Sequence, residues 1–130
     1  MRVVSGLAKG ITLKTPDGLA TRPTADRIKE AMFSIIQFDL PGTYVLDLFG
    51  GTGQLGIEAL SRGAKSAVFV DHSESACSLI RENLKRTKFQ NCAKVIRSDY
   101  LTFLKSTKEK FDIILLDPPY AEVFLENSLK

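Results

Sequence analysis

The sequence predicts an α/β fold, a doubly wound parallel sheet flanked by helices. Three observations lead there. Short apolar runs at 44–49, 66–71, 93–97 and 111–116 alternate with helix-compatible segments, the pattern of right-handed βαβ crossovers. The first run breaks on Gly50-Gly51-Thr52-Gly53 and passes directly into one of those segments, as a buried strand does when it turns tightly into a helix packed back on the sheet. The last run, Asp112 aside, is continuously apolar, which suits a strand covered on both faces.

Residues 1–4 and 11–13 are β-prone runs separated by Ser5-Gly6 and Lys9-Gly10, and they predict a small hairpin carrying Arg2, Lys9 and Lys14. Pro16-Asp17-Gly18 is a turn signal, and the polar tract up to Pro23 reads as a loop. Thr24 is placed to cap a helix with Asp26 in its first turn. Ile28, Ala31, Met32, Ile35 and Ile36 then share one helical face, predicted to turn inward. Pro41-Gly42 closes this unit. The helix after the glycine loop is expected over 54–62, with Gly63 just past its end. Ser73 caps the next helix, whose Ala76, Cys77, Ile80 and Leu84 face inward and whose Lys85, Arg86 and Lys88 suit its dipole. Residues 100–105 read as a short helix. The chain thus divides into a basic hairpin and helix at 1–42 and an α/β unit at 43–130.

With 130 residues and 44% hydrophobic side chains, there is material for one real core. No apolar run approaches the ~20 residues of a membrane span, and the first residues lack the apolar stretch of a signal peptide. Cys77 and Cys92 have neither metal-ligand nor redox spacing, so both are expected to be structural thiols in a reducing, cytoplasmic setting, with no metal site. The net charge is +3, and residues 1–30 hold six basic side chains against three acidic ones, while the remainder is balanced. A polyanion partner fits that arm, and so does an ordinary solvated surface.

Gly51-Thr52-Gly53-Gln54-Leu55-Gly56 matches G-x-G-x-x-G in the strand-before, helix-after context that gives the match meaning. Asp71 ends the second run, where a carboxylate meets the ribose hydroxyls of a nucleoside; its plainer role is a turn or cap. These two features alone fit an NAD domain. Asp47 points elsewhere, because a carboxylate late in a buried strand would be repelled by pyrophosphate and stabilised by a cationic ligand. S-adenosylmethionine carries an ammonium and a sulfonium and no phosphate. Asp117-Pro118-Pro119-Tyr120 follows the fourth run. At its plainest it is a strand stop. As a site, the carboxylate and a proline carbonyl would accept hydrogen bonds from the exocyclic amine of a base, favouring its pyramidal, nucleophilic form, while the Tyr ring stacks on the extruded base.

These residues resemble the class I S-adenosylmethionine-dependent methyltransferases that methylate amino groups, and more narrowly the bacterial small-subunit ribosomal RNA guanine-N2 methyltransferases. The resemblance runs through Met1-Arg2-Val3-Val4-Ser5-Gly6, Arg22-Pro23-Thr24-Ala25-Asp26-Arg27, Leu46-Asp47-Leu48-Phe49-Gly50-Gly51-Thr52-Gly53, Gly56-Ile57-Glu58-Ala59-Leu60-Ser61-Arg62-Gly63-Ala64 and Asp117-Pro118-Pro119-Tyr120. It implies a Rossmann-like fold with S-adenosyl-L-methionine held by Asp47, Phe49, Gly51, Gly53, Asp71, His72, Asp99 and Tyr100. It implies catalysis by Asp117, Pro118, Pro119 and Tyr120, and contact with ribosomal RNA or the small subunit through Arg2, Arg22, Thr24 and Arg27. For Asp99 a helix cap is an equal alternative, and for Arg22 and Arg27 a surface salt bridge. DNA adenine-N6 methylation shares the Asp-Pro-Pro-Tyr chemistry, and a non-catalytic cofactor- or RNA-binding fragment is the reading from a different class. The family fold has seven strands, so the chain is expected to stop after the fourth. That would leave 111–116 as an open edge able to pair with a second copy.

Overall fold

The computed structural model describes residues 2–15, 23–48 and 51–116, with backbone alone at 23–26. Its elements are α1 (Pro23–Ile36), β1 (Tyr44–Leu48), α2 (Gln54–Ser61), β2 (Ser66–Asp71), α3 (Glu74–Thr87), a 3₁₀ turn (Gln90–Cys92), β3 (Ala93–Arg97), α4 (Tyr100–Ser106) and β4 (Ile113–Leu116). The four strands form one parallel sheet in the order β3-β2-β1-β4. The chain therefore leaves β1 toward β2 on one side and returns to β4 on the other. The carboxyl end of β1 is a topological switch point, where open α/β sheets bind their ligands.

The two central strands, β1 and β2, are covered on both faces, which is why their runs are apolar without alternation. Val45 lies in the larger core with Phe33, Leu40, Ile57, Phe69, Ile80, Leu84 and Leu115. Its neighbours Leu46 and Leu48 lie in the smaller core with Val68, Val70 and Phe103. Val3, Ala8 and Leu13 of the N-terminal arm join the larger core and are almost fully buried, so the arm is packed into the body of the molecule.

Four details differ from the sequence reading. The N-terminal hairpin is reduced to one antiparallel bridge, Arg2 with Thr12, supported by Val3 N–H to Ile11 O at 3.0 Å and Gly10 N–H to Val3 O at 2.9 Å. Thr24 lies inside α1, which begins at Pro23; a proline suits a first turn because its missing N–H has no intrahelical partner there. The inward face of α1 is also rotated. Lys29 and Phe33 are buried, Met32 and Ile36 half-buried, and Ile28 and Ile35 are 65% and 79% exposed. The partner is electrostatic: Glu58 is buried beneath α1 and holds the Lys29 ammonium at 3.2 Å, which turns the Lys29 and Phe33 side of the helix inward.

The fourth difference concerns β4, which starts at Ile113 and not at Phe111. Asp112 pairs with Tyr44 partly through its side chain: Tyr44 N–H donates to Asp112 Oδ2 at 2.8 Å, while Asp112 N–H donates to Tyr44 O at 2.9 Å. Nor is β4 covered on both faces among the described residues, since Ile114 is 52% exposed while Leu115 is buried. Among those residues β4 pairs with β1 alone. None of the described helices is long and apolar enough to cross a membrane.

Candidate cofactor site

The site is assembled where β1, β2 and β3 end. Asp47 lies in β1 between Phe69 of β2 and Leu115 of β4 and is only 1% exposed. Its Oδ2 accepts the backbone N–H of Gly56 at 3.0 Å, tying the first turn of α2 to the strand. Two glycines make that approach possible. Gly53, the N-cap of α2, has a left-handed backbone with φ 82° and brings no side-chain acceptor to the helix start. A Cβ on Gly56 would lie 2.6 Å from Phe69 Cζ and 3.1 Å from Asp47 Oδ2. The helix therefore sits directly on β2, with its first N–H groups near the switch point.

Asp71 closes the other side of the loop. Its Oδ2 accepts Gly51 N–H at 3.1 Å and its Oδ1 accepts Ser73 N–H at 2.9 Å. The turn role is therefore real, and it is compatible with a ligand role. An ionised carboxylate has about four lone-pair sites, these two bonds engage one on each oxygen, and the side chain keeps 11% exposure. The next residue, His72, is 82% exposed, with Nδ1 3.7 Å from Asp71 Oδ1. Ser98 N–H donates to Asp71 O at 3.0 Å, which sets the end of β3 beside the end of β2. Asp99 follows as the N-cap of α4, accepting Thr102 N–H at 3.2 Å. The cap is thus made, and the carboxylate remains exposed at the same sheet edge. Tyr100 packs half-buried against the smaller core. Asp47, Gly51, Gly53, Asp71, His72 and Asp99 are all carried by the carboxyl ends of neighbouring strands.

Cys77 is buried behind this edge, its thiol donating to Asp71 O at 3.6 Å. Burial and then the Asp71 charge push the thiol pKa up, which keeps it protonated and unreactive. Among the described residues no group of three or more His, Cys, Asp or Glu is placed to hold a metal ion.

In the arm, Arg2 and Arg27 are exposed. Lys29, counted with the basic arm by sequence, is a core residue and is not available to a polyanion. Phe49, Arg22, the Thr24 side chain and Asp117, Pro118, Pro119 and Tyr120 lie outside the described residues.

Two buried polar side chains escaped the sequence reading. Glu58, fully buried on α2, accepts Val4 N–H at 2.8 Å and Ser5 N–H at 3.0 Å, and pairs with Lys29 at 3.2 Å and Arg62 Nε at 2.9 Å. Asn83 of α3, also fully buried, bonds Lys14 and Thr52. A signal existed for the first: Glu58 is the lone charge in an eight-residue helix that is otherwise mostly apolar, the sign of a helix buried all round.

Known proteins give this geometry a context. The family model described as "Conserved hypothetical protein 95" matches residues 1–130. "Putative rRNA methyltransferase YlbH" of Bacillus subtilis is 44% identical over 125 residues, covering 94% of this chain and 68% of that protein. "Ribosomal RNA small subunit methyltransferase D" of Haemophilus influenzae is 36% identical over 123 residues, covering 92% of this chain and 64% of that protein. The solved structure "Putative methyltransferase yhhF from Escherichia coli" superimposes with a TM-score of 0.86 at 34% identity, covering 98% of this chain and 69% of its own. The chain thus spans about two thirds of the length of the proteins it matches. Its parallel sheet and helices are the first part of a class I methyltransferase fold. The chain belongs to the Conserved hypothetical protein 95 family, and its relatives include proteins named as ribosomal RNA methyltransferases.

Proposed function

We propose that the chain is the cofactor-binding part of an S-adenosylmethionine-dependent methyltransferase that acts on N2 of a guanine in small-subunit ribosomal RNA, in the cytoplasm. One observation carries the cofactor assignment. The glycine loop at the switch point is bracketed by two carboxylates, Asp47 beneath it and Asp71 at its mouth, bonded to Gly56 N–H and Gly51 N–H. A dinucleotide pyrophosphate entering this loop would meet negative charge on both sides, whereas a nucleoside bearing a cationic amino acid would be attracted. The residues fit that group: Asp71 retains acceptor capacity for ribose hydroxyls, Gly53 adds no Cβ to the loop, and Asp99 is available at the adjacent strand end.

When bound, the cofactor supplies a methyl group already activated on a sulfonium. The chain's own task is then positioning. Asp47 fixes the start of α2 and lends its negative charge to the loop. Asp71 orients the ribose. In this reading Asp117 and a carbonyl of the Pro118-Pro119 pair accept hydrogen bonds from the guanine amine, localising its lone pair, and Tyr120 stacks on the base. Arg2, Arg22, Thr24 and Arg27 hold RNA phosphates. The names of the relatives support ribosomal RNA as the substrate; Asp-Pro-Pro-Tyr supports an exocyclic amine as the target, and the guanine N2 position rests on the resemblance of the N-terminal arm to the guanine-N2 family.

The test is transfer of labelled methyl from S-adenosylmethionine by the full-length protein to small ribosomal subunits, to naked small-subunit RNA and to duplex DNA, followed by nucleoside analysis. N2-methylguanosine is expected. Label on another atom would refute the guanine assignment, and label in duplex DNA adenine alone would refute the RNA assignment. The 130-residue chain itself is proposed to self-associate through the β4 edge. Sedimentation should find dimers or larger species, and a stable monomer would refute this.

A further inference from the structure

Asn83 joins two segments that sequence holds far apart. Its Oδ1 accepts Lys14 N–H at 2.7 Å, and its Nδ2 donates to Lys14 O at 2.9 Å and to Thr52 O at 2.9 Å. A primary amide has two hydrogens and one oxygen, so both hydrogens and the oxygen are engaged. Toward the arm it behaves as a neighbouring strand would, pairing with both backbone groups of one residue. Its second hydrogen goes to the middle of the glycine loop, between Gly51, whose N–H reaches Asp71, and Gly53, which caps α2.

We infer that Asn83 is a positioning residue that couples the N-terminal arm to the glycine loop, so that ordering either one orders the other. The amide is planar and fully buried, and it cannot follow a displaced Lys14 without withdrawing from the Thr52 carbonyl. Leaving that hydrogen of the fully buried Asn83 amide without its acceptor is costly. The arm and loop therefore share one set of hydrogen bonds, and a ligand that stiffens the loop stiffens the end of the arm. On the reading proposed above, in which the loop takes the cofactor and the arm takes RNA, the two bind with mutual enhancement, equal in both directions by linkage.

Amide hydrogen exchange on the 130-residue chain tests this, with S-adenosylhomocysteine as the probe and its binding followed separately by calorimetry. Saturating S-adenosylhomocysteine should slow exchange of the Lys14 amide at least threefold in the native chain and leave it unchanged in Asn83→Asp, which keeps the Oδ1 acceptor for Lys14 N–H and loses the hydrogen donated to Thr52 O. General loosening would raise both rates and preserve their ratio, so a purely structural role predicts the same ratio in both proteins, and that result overturns the coupling. Binding without any slowing at Lys14 in the native chain also overturns it, and leaves the cofactor assignment standing. Absence of binding would refute the cofactor assignment alone, and the ligand-free chain then decides. Lys14→Pro, an exposed position, removes the N–H that Asn83 accepts without emptying the core. It should speed exchange of the Gly51 amide at least threefold while amides of β2 keep their rates. Unchanged exchange at Gly51 contradicts the coupling, including in the case where Asn83→Asp fails to fold.

Discussion

Glu58 and Asp71 are both carboxylates beside α2, and they spend their acceptor capacity in opposite ways. Glu58 is sealed in the core with four donors around it, two backbone N–H groups from the arm and the Lys29 and Arg62 cations. It has nothing left to offer a ligand. Asp71 stands at a sheet edge with two backbone donors and partial exposure, holding the loop in shape while keeping lone pairs toward solvent. A saturated buried acid marks a place where the fold is fastened; the half-saturated acid at a strand end is the one that the proposed function sets against a ligand.

The comparison predicts that breaking Glu58 harms the fold and that breaking Asp71 harms binding. The largest effect belongs to Glu58→Ala, which strands the buried Lys29 ammonium and two arm N–H groups and should cost about 3–5 kcal/mol of stability in denaturant titrations. A loss under about 1 kcal/mol would mean that the arm is held by its apolar contacts alone. Asp71→Ala should reverse the balance, weakening S-adenosylhomocysteine binding by roughly 1.5–3 kcal/mol through loss of charge-assisted bonds, with a stability loss of only about 1 kcal/mol. Unchanged affinity in a folded variant would reduce Asp71 to the turn residue it also is.

The smallest effects concern the arm. Removing it wholesale would be a poor probe, because Val3, Ala8 and Leu13 are core residues and the backbone at residues 4, 5 and 14 is bonded to Glu58 and Asn83. Exposed charges are cleaner. Arg2→Ala and Arg27→Ala should each weaken RNA binding and lower the slope of log affinity against log salt by about 1, with melting unchanged. An unaltered slope would leave these arginines as plain surface charge.

Much of this architecture was legible from local pattern. The span of β2, the Ser73 cap and the inward Cys77, Ile80 and Leu84 of α3 follow from runs and spacing within about a dozen residues, and the structure has them. What was illegible depends on partners distant in sequence. The face of α1 is chosen by Glu58, which is 29 residues from Lys29, so periodicity alone selected the wrong side. Asn83 reads as one more polar residue on a helix until Lys14 and Thr52 fold against it, 69 and 31 residues away. Asp71 and the glycine loop were legible because a strand that breaks on glycines into a helix, and an acid that ends the next strand, are local patterns. The Asp112 side chain, by contrast, stands in for ladder geometry at Tyr44, which no propensity describes.

The central claim is that two carboxylates bracketing the loop select a phosphate-free nucleoside bearing an ammonium group over a dinucleotide. Calorimetric titration of the chain with S-adenosylhomocysteine and with NAD, each repeated on Asp71→Ala, tests it most directly. The account predicts saturable binding of S-adenosylhomocysteine that weakens at least tenfold in the variant, and no detectable binding of NAD. Binding of NAD at comparable affinity, or indifference of S-adenosylhomocysteine to the loss of Asp71, would contradict it.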